Sequence, residues 1–291
     1  MDYLLHILIL IGIYVIISIS LNLISGYTGL ISLAHAAFYG IGAYVSALLA
    51  LKFGSHFVVN MALAIILAGI LGALIALPSL RIHDDYFVIA TFAFQVITYR
   101  IMNNWVSLTG GPMGLPGIPQ PAVLGIIISS HLEFLILVTF FALLTYLLAH
   151  RLVNSPFGRV LKAIREDEVF ALSLGKDVTR YKILIFIIGA ALAAIAGSLY
   201  AYYITFIDPT SFTVMESVFM LSIVIIGGTG NLLGSVIGAV MLVIIPELLR
   251  FLGLPSAIAA NLRQILYGSL LVVFMMFRPQ GLLGEFAFRE K

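Results

Sequence analysis

Asn22, Thr28, His35, Gln95 and Glu216 are polar side chains standing within otherwise apolar runs. An amide, hydroxyl, imidazole or carboxyl in such a place either bonds a neighbouring helix or faces a watery cavity, because hydrocarbon satisfies neither its hydrogen bonds nor its charge. These types suit helix-to-helix hydrogen bonding and packing first, and contacts to a small polar solute second. Other chemistries lack their parts. The six histidines (His6, His35, His56, His83, His131, His150) are scattered without acids at metal-ligand or triad spacing, and there is no cysteine for thiol catalysis, thiolate metal sites or disulfides. No phosphate-binding G-x-x-x-x-G-K-[ST] occurs; Gly175-Lys176-Asp177 has neither the upstream glycine nor the hydroxyl.

The charged residues concentrate elsewhere. Residues 151–182 (RLVNSPFGRVLKAIREDEVFALSLGKDVTRYK) hold seven of the fifteen Lys and Arg residues and four of the thirteen acids. Ser155-Pro156 predicts a helix start, with Ser as cap and Pro at the first helical position. Phe157, Val160, Leu161 and Ile164 then form one apolar stripe, with Arg159, Lys162 and Arg165 largely off it. Glu166, Asp167 and Glu168 supply negative charge where a second short helix begins, and Gly175 is placed to end it in a left-handed cap. Between them Val169, Phe170, Ala171, Leu172 and Leu174 are too apolar for a solvated connector. Two readings stay open on residues alone. The short helix docks in a groove of another protein, with small Ala171 permitting close approach, or it lies on anionic lipid with its basic neighbours at phosphates.

Composition sets the frame that positions these groups. Hydrophobic residues make up 62% of the 291 and charged residues 10%, with a mean hydropathy of +1.16, which specifies an all-α polytopic integral membrane protein. Residues 3–51 and 217–246 carry no Asp, Glu, Lys or Arg, whereas one crossing takes about 20 such residues. Nine candidate spans follow: 3–24, 30–51, 57–80, 86–102, 124–150, 183–204, 215–228, 231–252 and 257–277. With the basic loop 151–182 inside, the N-terminus is outside and the C-terminus inside. Inside segments then hold eleven basic residues and outside segments four. The first segment reads as a retained helix rather than a cleaved signal, having Asp2 and no basic start. Residues 103–121, with Pro112, Pro116, Pro119 and Pro121, read as an ordered external loop. Gly-rich interruptions at 25–29, 109–114 and 227–230 are either irregular backbone lining a path or turns at the membrane surface. The 215–228 span is short enough to be a half-helix. Gly26-x-Thr28-Gly29 and Gly227-x-Thr229-Gly230 match at a spacing of 201 residues, a hint of duplication that chance also explains in a chain with 26 glycines.

The segment Gly158 to Glu168, then Ala171 to Gly175, Val178-Thr-Arg-Tyr-Lys182 and Phe186, resembles the coupling loop of branched-chain amino acid ABC permeases of the LivH/LivM family, LivM type. Leu21-Asn22, Gly26 to Gly29, Ala34 to Phe38, Gly40 to Tyr44, Thr109 to Gly111, Gly114-Leu115, Gly117 to Pro119, Gly197 to Tyr200, Pro209 to Phe212, Gly227 to Gly230 and Phe277 to Gly284 extend the resemblance over nearly the whole chain. It departs at Leu30 and Ala34, where the family often has Gln and Gly, and the importer pattern Glu-Ala-Ala-x-x-x-Gly is degenerate around Glu168 to Gly175. The resemblance implies one transmembrane permease domain over 1–291, in a prokaryotic cytoplasmic (inner) membrane. It implies a second related permease subunit, two cytoplasmic ATPase subunits that use ATP and Mg, and a periplasmic or extracellular solute-binding protein as partners. This chain itself would be no enzyme, bind no cofactor or metal, and contact lipid but no nucleic acid. Coupling falls to Glu166, Asp167, Glu168, Ala171, Leu172 and Gly175. The candidate path comprises Asn22, Gly26, Thr28, Gly29, His35, Gln95 and Glu216. Leucine, isoleucine and valine are the expected solutes; urea or short amides are the alternative, and a self-sufficient secondary transporter or channel is the rival mechanism.

Overall fold

A computed structural model describes residues 2–80, 84–123, 126–250, 265, 268–274, 276–278 and 280–284. About half of the ninth candidate span, 257–277, and the end of the tail lie outside the described residues, and 268–274 within that span is helical. The first helix, α1 (Asp2–Thr28), is apolar all round and buried on every face from residue 15 onward, which makes it a central rod rather than a surface helix. Next come α2 (His35–Phe53), α3 (Phe57–Ser79) and α4 (Asp84–Asn104), then the single turn α5 (Val106–Thr109). After it follow α6 (His131–Asn154), α7 (Pro156–Glu166), α8 (Glu168–Ser173), α9 (Val178–Ile204), α10 (Val214–Gly227) and α11 (Leu232–Arg250). α9 is the second rod and packs on α1, α2 and α3, while α6, α10 and α11 close on the other sides of α1.

Small residues bring the two rods' neighbours together. A Cβ on Gly42 of α2 would stand 2.3 Å from the Ala194 carbonyl oxygen of α9, and one on Gly197 would stand 1.9 Å from that of Tyr39. Only glycine allows this approach, and the contact is close backbone packing of the kind that holds helices together where lipid gives no hydrophobic incentive. Ser46 and Ser198 add a buried hydroxyl pair at 2.7 Å in the same seam.

Several boundaries depart from the sequence expectation. α1 does not break at Ser25; Ser25, Gly26, Tyr27 and Thr28 are helical, and only Gly29 leaves the helix. Residues 29–34 are non-helical, so the second helix starts at His35 rather than at 30. The fifth starts at His131 because Ser130 and Glu133 form a reciprocal capping box there, while 122–123 and 126–127 form a small ladder ahead of it. The inter-helix loop is shorter than 151–182, since α6 runs to Asn154 and α9 begins at Val178.

Among the described residues five helices are long and apolar enough to cross a membrane: α1, α2, α3, α6 and α9. α10 has 14 residues, about 21 Å of rise against a core of about 30 Å, so it spans part of the depth. α9 also orders the ends of the bundle. Its start follows α8, and its end leads into Phe206–Ile207, which pairs antiparallel with Leu115–Pro116. The 103–121 segment therefore sits at the end of the bundle opposite α7 and α8.

Candidate functional site

The charged segment folds as its capping chemistry dictates. The Ser155 hydroxyl accepts from Gly158 N–H at 3.3 Å with Pro156 at the first helical position, and the Asp167 carboxylate accepts from Phe170 N–H at 3.0 Å to start α8. Gly175 has φ +73°, the left-handed conformation expected of it. Glu166 ends α7 instead of opening the second helix, and α8 is a compact piece of six residues.

Four contacts tie this α7–α8 unit to the bundle. Leu161 and Ile164 are buried beneath α7. Lys182 of α9, with a side chain 3% exposed, donates to a Glu168 carboxylate oxygen at 2.8 Å. Arg165, expected off the apolar stripe, instead turns inward, its side chain 6% exposed. Its Nη1 donates to the Gly26 carbonyl at 2.8 Å, and Nη2 bonds Glu166 at 2.9 Å. Lys162 stands over the Tyr27 ring at 5.7 Å, a cation–π contact to the last turn of α1.

Ala171 is buried against Ile164 and Val178, so it is not offered to an outside groove as its small size suggested. The apolar side chains that α8 does present are Val169, Phe170, Leu172 and Leu174, between 53% and 72% exposed. Val169, Phe170 and Leu174 stand outside the coupling set expected from the sequence. The signal for them in the sequence was their apolar character between the charged clusters at 166–168 and 176–177.

Two groups emerge from the candidate path residues. Asn22 and Gly26 meet the 227–230 turn directly behind Arg165. Asn22 is fully buried, its Nδ2 donating to the Asn231 carbonyl at 2.8 Å and to Ser235 Oγ at 2.7 Å, while Oδ1 accepts from Gly230 N–H at 2.9 Å. Thr28 bonds back to the Ile24 carbonyl at 2.6 Å. Gly29 follows with φ +78°, and a Cβ built on it would lie 3.7 Å from Arg165 Cγ. The two matching glycine motifs thus touch each other: a Cβ on Gly26 would lie 2.4 Å from Gly230 N.

The second group gathers where α2 and α10 begin. Ala36 N–H donates to Ser217 Oγ at 3.0 Å, Ser217 donates to Gln95 Oε1 at 3.3 Å, and Gln95 Nε2 donates to the Phe212 carbonyl at 2.8 Å. His35 is buried beside them, with neither ring nitrogen hydrogen-bonded. Glu216 is one residue away, its Oε1 accepting from Tyr14 hydroxyl at 2.6 Å. Among the described residues there is no group of three or more His, Cys, Asp or Glu arranged to hold a metal ion.

A multi-pass helical membrane protein with a basic, amphipathic helix pair at one end is the class these features define. The chain belongs to the family described as branched-chain amino acid transport system / permease component, whose profile matches residues 3–275. It is 36% identical to the high-affinity branched-chain amino acid transport system permease protein LivM of Salmonella typhimurium, over 93% of this chain and 68% of that one. It is 32% identical to the probable branched-chain amino acid transport permease protein LivM of Methanocaldococcus jannaschii, over 98% and 94%. It is 26% identical to the Escherichia coli permease protein LivH, over 94% and 91%. No solved structure matches the chain.

Proposed function

We propose that the chain is a permease subunit of a binding-protein-dependent ABC importer in the cytoplasmic membrane, moving leucine, isoleucine and valine by alternating access. The observation that carries this reading is the α7–α8 unit. α8 turns Val169, Phe170, Leu172 and Leu174 outward, an apolar knob of the kind a protein groove covers, while Lys182–Glu168 and Arg165–Gly26 fasten its inner side to α9 and α1. Motion of a partner gripping that knob would be passed to both central rods. Only differential contact with the partner's nucleotide states can drive such a change.

In this reading the α7–α8 end is cytoplasmic, the 103–121 segment and the N-terminus are outside, and the C-terminus is inside. Two ATPase subunits bind ATP and Mg and dock at the knob. A second related permease completes the translocation unit, and a solute-binding protein delivers to the outer face. The relatives LivM and LivH are each named as a permease protein of a high-affinity branched-chain amino acid transport system, in keeping with two permease types. The test is uptake into vesicles holding this chain, its permease partner and the ATPases, with L-leucine, L-isoleucine, L-valine, urea and acetamide in competition. Preferential uptake of the three amino acids supports the proposal, and uptake of urea or acetamide in their place moves the chain to an amide permease.

A further inference from the structure

Glu216 lies in the first turn of α10, where the helix N-terminus and the Tyr14 hydroxyl offset part of its charge. It is bonded to Tyr14, which lies twelve residues from Asp2 and fourteen from Thr28, hence about 18 Å and about 21 Å along α1. The carboxyl group is therefore near the middle of a helix that crosses the membrane, not at its outer surface. It is only partly buried, and the surface beside it carries exposed Met215 and Val218. One oxygen is held by the Tyr14 hydroxyl; the other has no hydrogen-bond partner among the described residues, and no Lys, Arg or His pairs with the group there. An unpaired carboxylate at this depth is tolerated facing water or a partner group of opposite charge, and hydrocarbon offers neither.

The surroundings narrow that partner. Phe219, one turn along α10 from Glu216, stands edge-on to Tyr14 at 5.3 Å. A small inorganic cation takes six or more oxygens, and the described residues bring the Glu216 carboxyl and the Tyr14 hydroxyl to this place but no group of three or more His, Cys, Asp or Glu. Aromatic faces around one free carboxylate oxygen suit an organic ammonium group, which gains an ion pair and cation–π contact together. We propose that Glu216, with the rings of Tyr14 and Phe219, receives the ammonium group of the solute midway across the membrane. This rests on the reading of the chain as an amino acid permease, and it assigns one end of the solute to one residue.

The absence of native cysteine makes the face directly readable. In the full assembly, Met215→Cys would be treated with a trimethylammonium methanethiosulfonate or its sulfonate counterpart, and adducts on this chain quantified by mass spectrometry. The expected result is cationic labelling about tenfold faster than anionic labelling, the preference disappearing when Glu216→Gln is added. L-leucine and isopentylamine, which carry the ammonium, should slow labelling; 4-methylpentanoate, which lacks it, should not. An unreactive thiol, equal rates for the two reagents, or equal protection by 4-methylpentanoate would overturn the assignment. If isopentylamine protects but the assembly takes up no amino acid, the permease reading fails while the ammonium site stands; intact leucine uptake with no protection fails the site alone.

Discussion

Replacing Asn22 by alanine removes the one side chain that joins α1 to the α10–α11 turn through three hydrogen bonds, to Gly230 N–H, the Asn231 carbonyl and Ser235 Oγ. Interhelical bonds in membranes average about 0.6 kcal/mol each, so their loss costs about 2 kcal/mol. The Asn231 carbonyl keeps the Ser235 N–H, but the described contacts leave Gly230 N–H without another acceptor, which raises the expected cost toward about 4 kcal/mol. Unfolding of the purified protein in mixed micelles, titrated with SDS, measures this directly. Both amide protons and the carbonyl oxygen of Asn22 are already engaged within the chain, so the concentration of leucine giving half-maximal uptake should be unchanged in Asn22→Ala at temperatures where the fold holds. Wild-type stability combined with altered solute dependence would refute this reasoning and return Asn22 to the solute path.

Single cysteines test the sidedness. Ser107→Cys, exposed between α4 and the opposite-end ladder, should react with an impermeant thiol reagent only from outside, and Ser173→Cys at the end of α8 only from the cytoplasm; the reverse pattern would invert the topology. On α8 itself, Phe170→Asp should abolish ATPase copurification while thermal stability stays near wild type, because Phe170 is 58% exposed. Ala171→Arg should instead lower stability by several kcal/mol by forcing an unpaired charge against Ile164 and Val178. Equal loss of stability in the two variants would show that the outward face of α8 is part of the fold rather than a docking surface.

The helical membrane class was legible because long uncharged runs have no other stable form, and the α7–α8 caps were legible because Ser155, Pro156, Asp167 and Gly175 act locally. Helix ends set by tertiary contact were not. α1 continues through Ser25 and Gly26, with the Gly26 carbonyl taken up by Arg165, 139 residues distant, and Asn22 bonding Asn231, 209 residues distant. Arg165 shows the limit of helical periodicity: a long side chain can leave the polar face and reach a buried carbonyl, which spacing alone does not record. The α6 start, by contrast, was written in Ser130-x-x-Glu133 and was obscured by the apolar residues before it. Grouping of His35, Gln95 and Glu216 required knowing that α2 and α10 begin side by side.

The central claim is that this chain moves solute only under the drive of partners gripping α8. Its most direct test is L-leucine accumulation in proteoliposomes containing the permease pair, with ATPases, ATP and Mg supplied on the α8 face and the binding protein on the other. The account predicts uptake that requires all of these and disappears in Phe170→Asp. Leucine flux through this chain alone, indifferent to ATP and to Phe170→Asp, would contradict it.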